Sequence, residues 1–116
     1  MLLYIHKIKK GKEKMNIIYL NRIKGTNLFK VGFSSNWENR RKSYITDNPL
    51  IEFVECIKTR AHNKHKIEKM CQKEIEKIGG RFIINHGIKT EWFEFDGDFN
   101  FKMLSCCKNR KVYSLN

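Results

Sequence analysis

Two runs rich in β-branched and aromatic residues, NIIYLNRI (Asn16 to Ile23) and LFKVGFS (Leu28 to Ser34), flank the turn-forming Lys24-Gly25-Thr26-Asn27. The second run leads without a linker into Ser34-Ser35-Asn36 and then WENRRKSYI. This succession constrains the fold more than any other feature of the chain. Period-two patterning around a glycine-containing turn calls for a hairpin. Ser and Asn ahead of Glu38 and Asn39 supply the side-chain acceptor and first-turn residues that start a helix, here over about Asn36 to Ile45.

Thr46-Asp47-Asn48-Pro49 ends that helix, because the residue before a proline is pushed out of helical geometry. LIEFVECIKT (Leu50 to Thr59) reads as a third strand. From about Ala61 to Ile78 a second helix sets Ile67, Met70, Cys71, Ile75 and Ile78 on one stripe, and Gly79-Gly80 stops it. Beyond it a short segment at Phe82 to Asn85, a loop, a strand at Glu91 to Phe95 and a final helix from about Asp98 to Lys108 are expected. The expected fold is therefore α+β, a small central antiparallel or mixed β-sheet of three to four strands flanked by helices. At 116 residues one core is the expectation, with residues 1–15 a basic N-terminal arm, 16–97 the domain proper, and 98–116 a C-terminal helix and basic tail. Met15, just ahead of the first strand, is an alternative start to Met1.

Lys and Arg number 24 against 12 Asp and Glu, a formal charge of +12 of the kind expected for a polyanionic partner, most often nucleic acid. An AT-rich genome, phage, viral or bacterial, also favours Lys over Arg, here 18 to 6. No apolar run reaches membrane-spanning length, and the apolar start of MLLYIHKIKKGKEK is too short for a signal peptide, so a soluble, cytoplasmic chain without a membrane partner is expected. Cys56, Cys71, Cys106 and Cys107 form no Cys-x-x-Cys, and free thiols are expected, with Cys56 and Cys71 in the core. His6, His62, His65 and His86 show no metal-ligand spacing.

Strand alternation lets Tyr19 and Lys30 project from one face of the hairpin while Leu20, Phe29 and Val31 pack on the other. Gly32, next to the helix start, leaves room for a backbone or phosphate. At 100° per residue Trp37, Arg40, Arg41 and Tyr44 share one arc of the first helix, so packing of the aromatics can orient Arg40; equally, Trp37 and Tyr44 can be core anchors beside a solvated arginine. On the second helix Glu68 borders the apolar stripe, with His65 at i−3 and Gln72 at i+4. A half-sheltered carboxylate there suits a hard divalent cation, with Glu74 as a rival. Together these groups supply what phosphodiester hydrolysis needs: an activator of water, a cation site and a fixed positive donor.

The order IIYL, FKVG, an Arg eight residues past that Gly, a helix bearing a Glu, and EWFEF resembles the GIY-YIG endonuclease superfamily. It is most similar to the small phage and bacterial branch with a Lys-hydrophobic-Gly second motif and a closing Glu-Trp-Phe element. The resemblance covers about Asn16 to Phe95 and implies a DNA endonuclease that uses Mg²⁺ or Mn²⁺. It implies that Tyr19 helps activate water, that Gly32 is the second-motif glycine, that Arg40 binds the scissile phosphate, and that Glu68 holds the metal. Trp37, Arg41 and Lys42 would add phosphate or DNA contacts, and Gln72, His65 and Glu91 would support the site. Departures are plain: the first motif lacks its leading Gly, Lys30 stands for the second-motif tyrosine, and Gln72 stands where a His is usual. Lys30 would contact phosphate or lower the pKa of Tyr19. Those departures leave a second reading, a nuclease-derived binding module without catalysis, and the charge alone leaves a third, a phage or virus protein that grips a host protein through an acidic patch.

Overall fold

The computed structural model describes residues 16–60 and 63–115. Strand β1 (Asn16–Ile23) organises it, pairing antiparallel with β2 (Leu28–Ser34) on one side and with β3 (Ile51–Thr59) on the other. Its first six residues are all buried. A strand flanked by neighbours and covered on both faces can carry the near-continuous apolar run NIIYL rather than a polar alternation.

The two faces of β1 feed two clusters. Ile18 and Leu20, with Phe29 and Val31 of β2, face helix α2 (Lys64–Lys77), whose Ile67, Cys71 and Ile75 complete the larger core. Ile17 and Tyr19 face helix α1 (Trp37–Asp47), whose Trp37 packs there with Cys56 and Leu115. Asn36 caps α1: its side chain accepts the Asn39 N–H at 3.4 Å, and its own N–H donates to Ser34 Oγ at 3.0 Å. Both helices match the expected positions to within a few residues, although Ala61 and His62, like residues 1–15 and His6, lie outside the described residues.

The sheet itself corrects the expectation of three to four strands, antiparallel or mixed. Among the described residues it has six, in the order β4-β5-β2-β1-β3-β6, and every pairing among them is antiparallel. The missed strands have identifiable causes. β4 (Arg81–Asn85) and β5 (Ile88–Glu94) form a hairpin closed by His86 and Gly87, with Asn85 paired to Ile88. Both turn residues have positive φ, 53° and 77°, the mirror-image turn whose twist matches the flanking strands. His86 is an unusual occupant of that turn, so the sequence carries no Asn-Gly or Asp-Gly signal there.

The expected helix from Asp98 to Lys108 is instead two 3₁₀ turns, Phe101–Met103 and Ser105–Cys107, followed by β6 (Val112–Ser114) against β3. Phe101, Leu104 and Cys107 recur every third residue and are all buried, the period of a 3₁₀ turn. Two carboxylates from elsewhere hold this segment by its backbone: Glu55 accepts the Phe101 N–H at 2.7 Å, and Glu74 accepts the N–H groups of Ser105 and Cys106. Among the described residues no helix is long and apolar enough to cross a membrane.

Candidate active site

Tyr19 and Gly32 lie directly opposite each other in the β1–β2 ladder, as do Asn21 and Lys30. Opposed residues share a face, so strand register alone puts a phenol, an amide, an ammonium and a bare backbone position together. The space above Gly32 is taken by the tyrosine: a Cβ there would stand 2.3 Å from Tyr19 Oη and 2.4 Å from Cζ. Only glycine lets the ring lie across the neighbouring strand.

Tyr19 is 2% exposed. Its hydroxyl shares a 2.7 Å hydrogen bond with that of Tyr44, and its ring packs on Trp37 at 5.1 Å and Tyr44 at 5.8 Å. Burial, then the Tyr44 hydrogen bond, push its phenol far above the ordinary tyrosine value, while the Arg40 charge pulls it down. Tyr19 is therefore a neutral phenol at physiological pH. Tyr44, only half-buried, connects it to the surface.

Lys30 Nζ sits 5.3 Å from the Tyr44 ring centre, 5.8 Å from that of Trp92, and 3.7 Å from Glu91 Oε1. Glu91 comes one residue past the last β2–β5 pair, Lys30 with Trp92, where the two strands part. From α2 the half-buried Glu68 reaches the same place. Its carboxyl is pushed above the ordinary carboxylate range, first by burial and then by the Glu91 carboxylate, to which it also hydrogen-bonds; His65 and Lys30 act against that shift. Two carboxylates with an ammonium beside them thus converge from β5, α2 and β2. Carboxylates brought together in this way are hard oxygen donors of the kind that suit a divalent cation such as Mg²⁺.

Arg40 is exposed on α1 and lines a pocket of about 300 Å³ with Phe33, Ser34, Ser35, Asn36 and Asn39, at the N-terminal end of the helix. The remaining expected residues are placed differently from one another. Trp37 is buried at 3% exposure, so it supports Tyr19 from beneath rather than meeting solvent. Arg41 lies with its guanidinium 5.8 Å from the Phe53 ring centre, and Lys42 is exposed. Gln72 stands half-buried one turn beyond Glu68, and His65 is exposed one turn before it. The rival Glu74 is committed elsewhere, to Ser105 and Cys106.

Three participants were not singled out as site residues from sequence. Tyr44 reads in the sequence as a helix anchor, but its hydroxyl bonds that of Tyr19. Trp92 pairs with Lys30 across the sheet. Asn21 is completely buried opposite Lys30, and both polar atoms of its amide lack a partner among the described residues; an asparagine inside the run IIYLNRI is a signal the sequence did carry, because a buried unpaired amide is costly.

Taken together, a neutral phenol (Tyr19), an ammonium (Lys30) and a carboxyl pair (Glu68 and Glu91) gather around β2, with Arg40 lining the pocket at the start of α1, groups of the kinds that can bind and polarise a phosphodiester. A family model described as the T5orf172 domain matches residues 16–110. No curated protein and no solved structure matches the chain.

Proposed function

Because the chain belongs to the T5orf172 domain family, which is nuclease-related, we propose that it is a metal-dependent DNA endonuclease hydrolysing phosphodiester bonds at a GIY-YIG-type site. The observation that carries this reading is the convergence of Tyr19, Lys30, Glu91 and Glu68 from four separate elements. A structural ion pair would need two of them, not four.

Arg40 binds the phosphate. Its planar fork matches two phosphate oxygens, and the nearby helix N-terminus adds unpaired N–H groups of the same polarity. Lys30, steered by Glu91 and the rings of Tyr44 and Trp92, places a point charge between the phosphate and the carboxyls. Tyr19, kept neutral by burial, orients the attacking water through the Tyr19–Tyr44 hydroxyl pair and offers a path by which its proton reaches the surface. Glu68, with Glu91 beside it, would hold the Mg²⁺ or Mn²⁺. When bound, that cation supplies Lewis-acid stabilisation of the developing charge.

A second reading, a DNA-binding module without catalysis, is favoured by the near-complete burial of Tyr19, whose hydroxyl is already paired with Tyr44. Both readings predict salt-dependent binding to DNA. They part at Glu68→Ala: for an endonuclease this variant binds DNA as well as the wild type and no longer nicks supercoiled plasmid in Mg²⁺. Nicking retained by the variant would remove Glu68 from the site, and no nicking by the wild type in Mg²⁺ or Mn²⁺ would leave the binding module.

A further inference from the structure

On the opposite face of the sheet Cys71 comes into contact with the adjacent Cys106 and Cys107, 35 and 36 positions further along the chain. Cys71 of α2 lies 3.6 Å from the Cys106 sulfur and 3.8 Å from that of Cys107, and the two neighbours are 3.8 Å from each other. No edge of this triangle approaches the roughly 2.05 Å of a disulfide. Its edges are those of a metal–thiolate tetrahedron. With zinc–sulfur bonds of about 2.3 Å, tetrahedral geometry separates the sulfurs by about 3.8 Å. An ion that far from all three sulfurs would stand about 0.8 Å out of their plane, where a tetrahedral centre belongs.

We propose that Cys71, Cys106 and Cys107 form a three-thiolate site for a soft divalent cation, Zn²⁺ foremost, with the fourth position open to water or a small thiol. The triangle is held in shape without any ion. Cys71 is fixed by the buried stripe of Ile67 and Ile75, and Glu74 grips the turn bearing the other two cysteines through the Ser105 and Cys106 N–H groups and the Ser105 hydroxyl. The backbone N–H of Arg110 donates to the Cys107 carbonyl at 3.0 Å and its guanidinium donates to the Lys58 carbonyl at 3.4 Å, which fixes the exit of that turn against β3. Cys71 and Cys107 are fully buried and Cys106 is partly open, which gives an ion a side from which to enter. The ion would tie α2 to the C-terminal turns and so steady the helix that carries Glu68, one turn before Cys71. This site does not depend on the nuclease reading.

The test is a Co²⁺ titration of the full-length, chelator-stripped protein, with all four thiols shown reduced by a thiol count, followed by Zn²⁺ competition. The expected result is thiolate-to-Co²⁺ charge-transfer absorption with tetrahedral visible bands, saturating at one Co²⁺ per chain and lost on adding Zn²⁺. Cys56→Ser, altered in the other core cluster, should keep the signal, and Cys106→Ser and Cys107→Ser should lose it. A folded, reduced wild type that shows no charge-transfer band overturns the proposal, as does a band that disappears with Cys56→Ser. The wild-type titration decides even if a cysteine variant fails to fold.

Discussion

Replacing Gly32 with alanine places a methyl carbon 2.3 Å from Tyr19 Oη and 2.4 Å from Cζ. Carbon contacts are optimal at about 3.5–4.0 Å, so the overlap exceeds about 1 Å. The ring has little room to retreat, packed as it is on Trp37 and Tyr44. Overpacking of this kind costs about 1–3 kcal/mol, and displacement of the ring forfeits the Tyr19–Tyr44 hydrogen bond at about 1 kcal/mol more. The expected loss is about 2–4 kcal/mol, a fall in Tm of roughly 8–16 °C for a domain of this size. Denaturant unfolding at constant m measures it. In a Tyr19→Ala background the methyl meets no ring, and Gly32→Ala should become nearly neutral, so the double-mutant cycle returns almost the whole cost as coupling. A loss below about 0.5 kcal/mol, or an equal loss in both backgrounds, would refute the claim that Gly32 exists to seat Tyr19.

Glu55→Gln keeps the acceptor for the Phe101 N–H but removes a carboxyl that burial pushes above the ordinary range. A raised folded pKa means the native state binds the proton more tightly, so ionisation destabilises as pH rises through the ordinary carboxylate value; the variant should melt higher than wild type at pH 7 and lose that advantage below about pH 4, and a lower Tm at pH 7 contradicts this. Glu74→Ala strips the acceptor from the Ser105 and Cys106 N–H groups and should cost about 1 kcal/mol, read by thermal unfolding. Arg40→Ala, at an exposed position, should leave Tm unchanged while reducing the salt slope of DNA binding by about 1; an unchanged slope removes Arg40 from the phosphate contacts.

Local chemistry was legible in the sequence and long-range register was not. Alternation in NIIYLNRI and LFKVGFS was enough to put Tyr19 and Lys30 on one face and Leu20, Phe29 and Val31 on the other, and Asn36 announced the start of α1. The Ile67, Cys71, Ile75 stripe marked the buried side of α2. By contrast, the contact of Lys30 with Glu91 depends on where β5 stops pairing with β2, and no nearest-neighbour pattern encodes that. Tyr44 could be read as an aromatic anchor, but its hydroxyl partner is 25 positions away in the chain. The C-terminal segment looked helical because its apolar residues are closely spaced, yet they repeat at three and are held by Glu55 and Glu74 from distant elements. The cysteines show the same limit: adjacent Cys106 and Cys107 have no ligand spacing, and only the docking of α2 brings Cys71 to complete a triangle.

The most direct test of the central claim, that Arg40 and Glu68 belong to one phosphodiester-cleaving site, is the Mg²⁺-dependent nicking rate of wild type, Arg40→Ala, Glu68→Ala and the double variant on supercoiled DNA at saturating protein. Groups that act together in one transition state are strongly non-additive, so the double variant should be no slower than the slower single variant. Losses that simply multiply, or nicking by the wild type that persists in EDTA, would contradict the account.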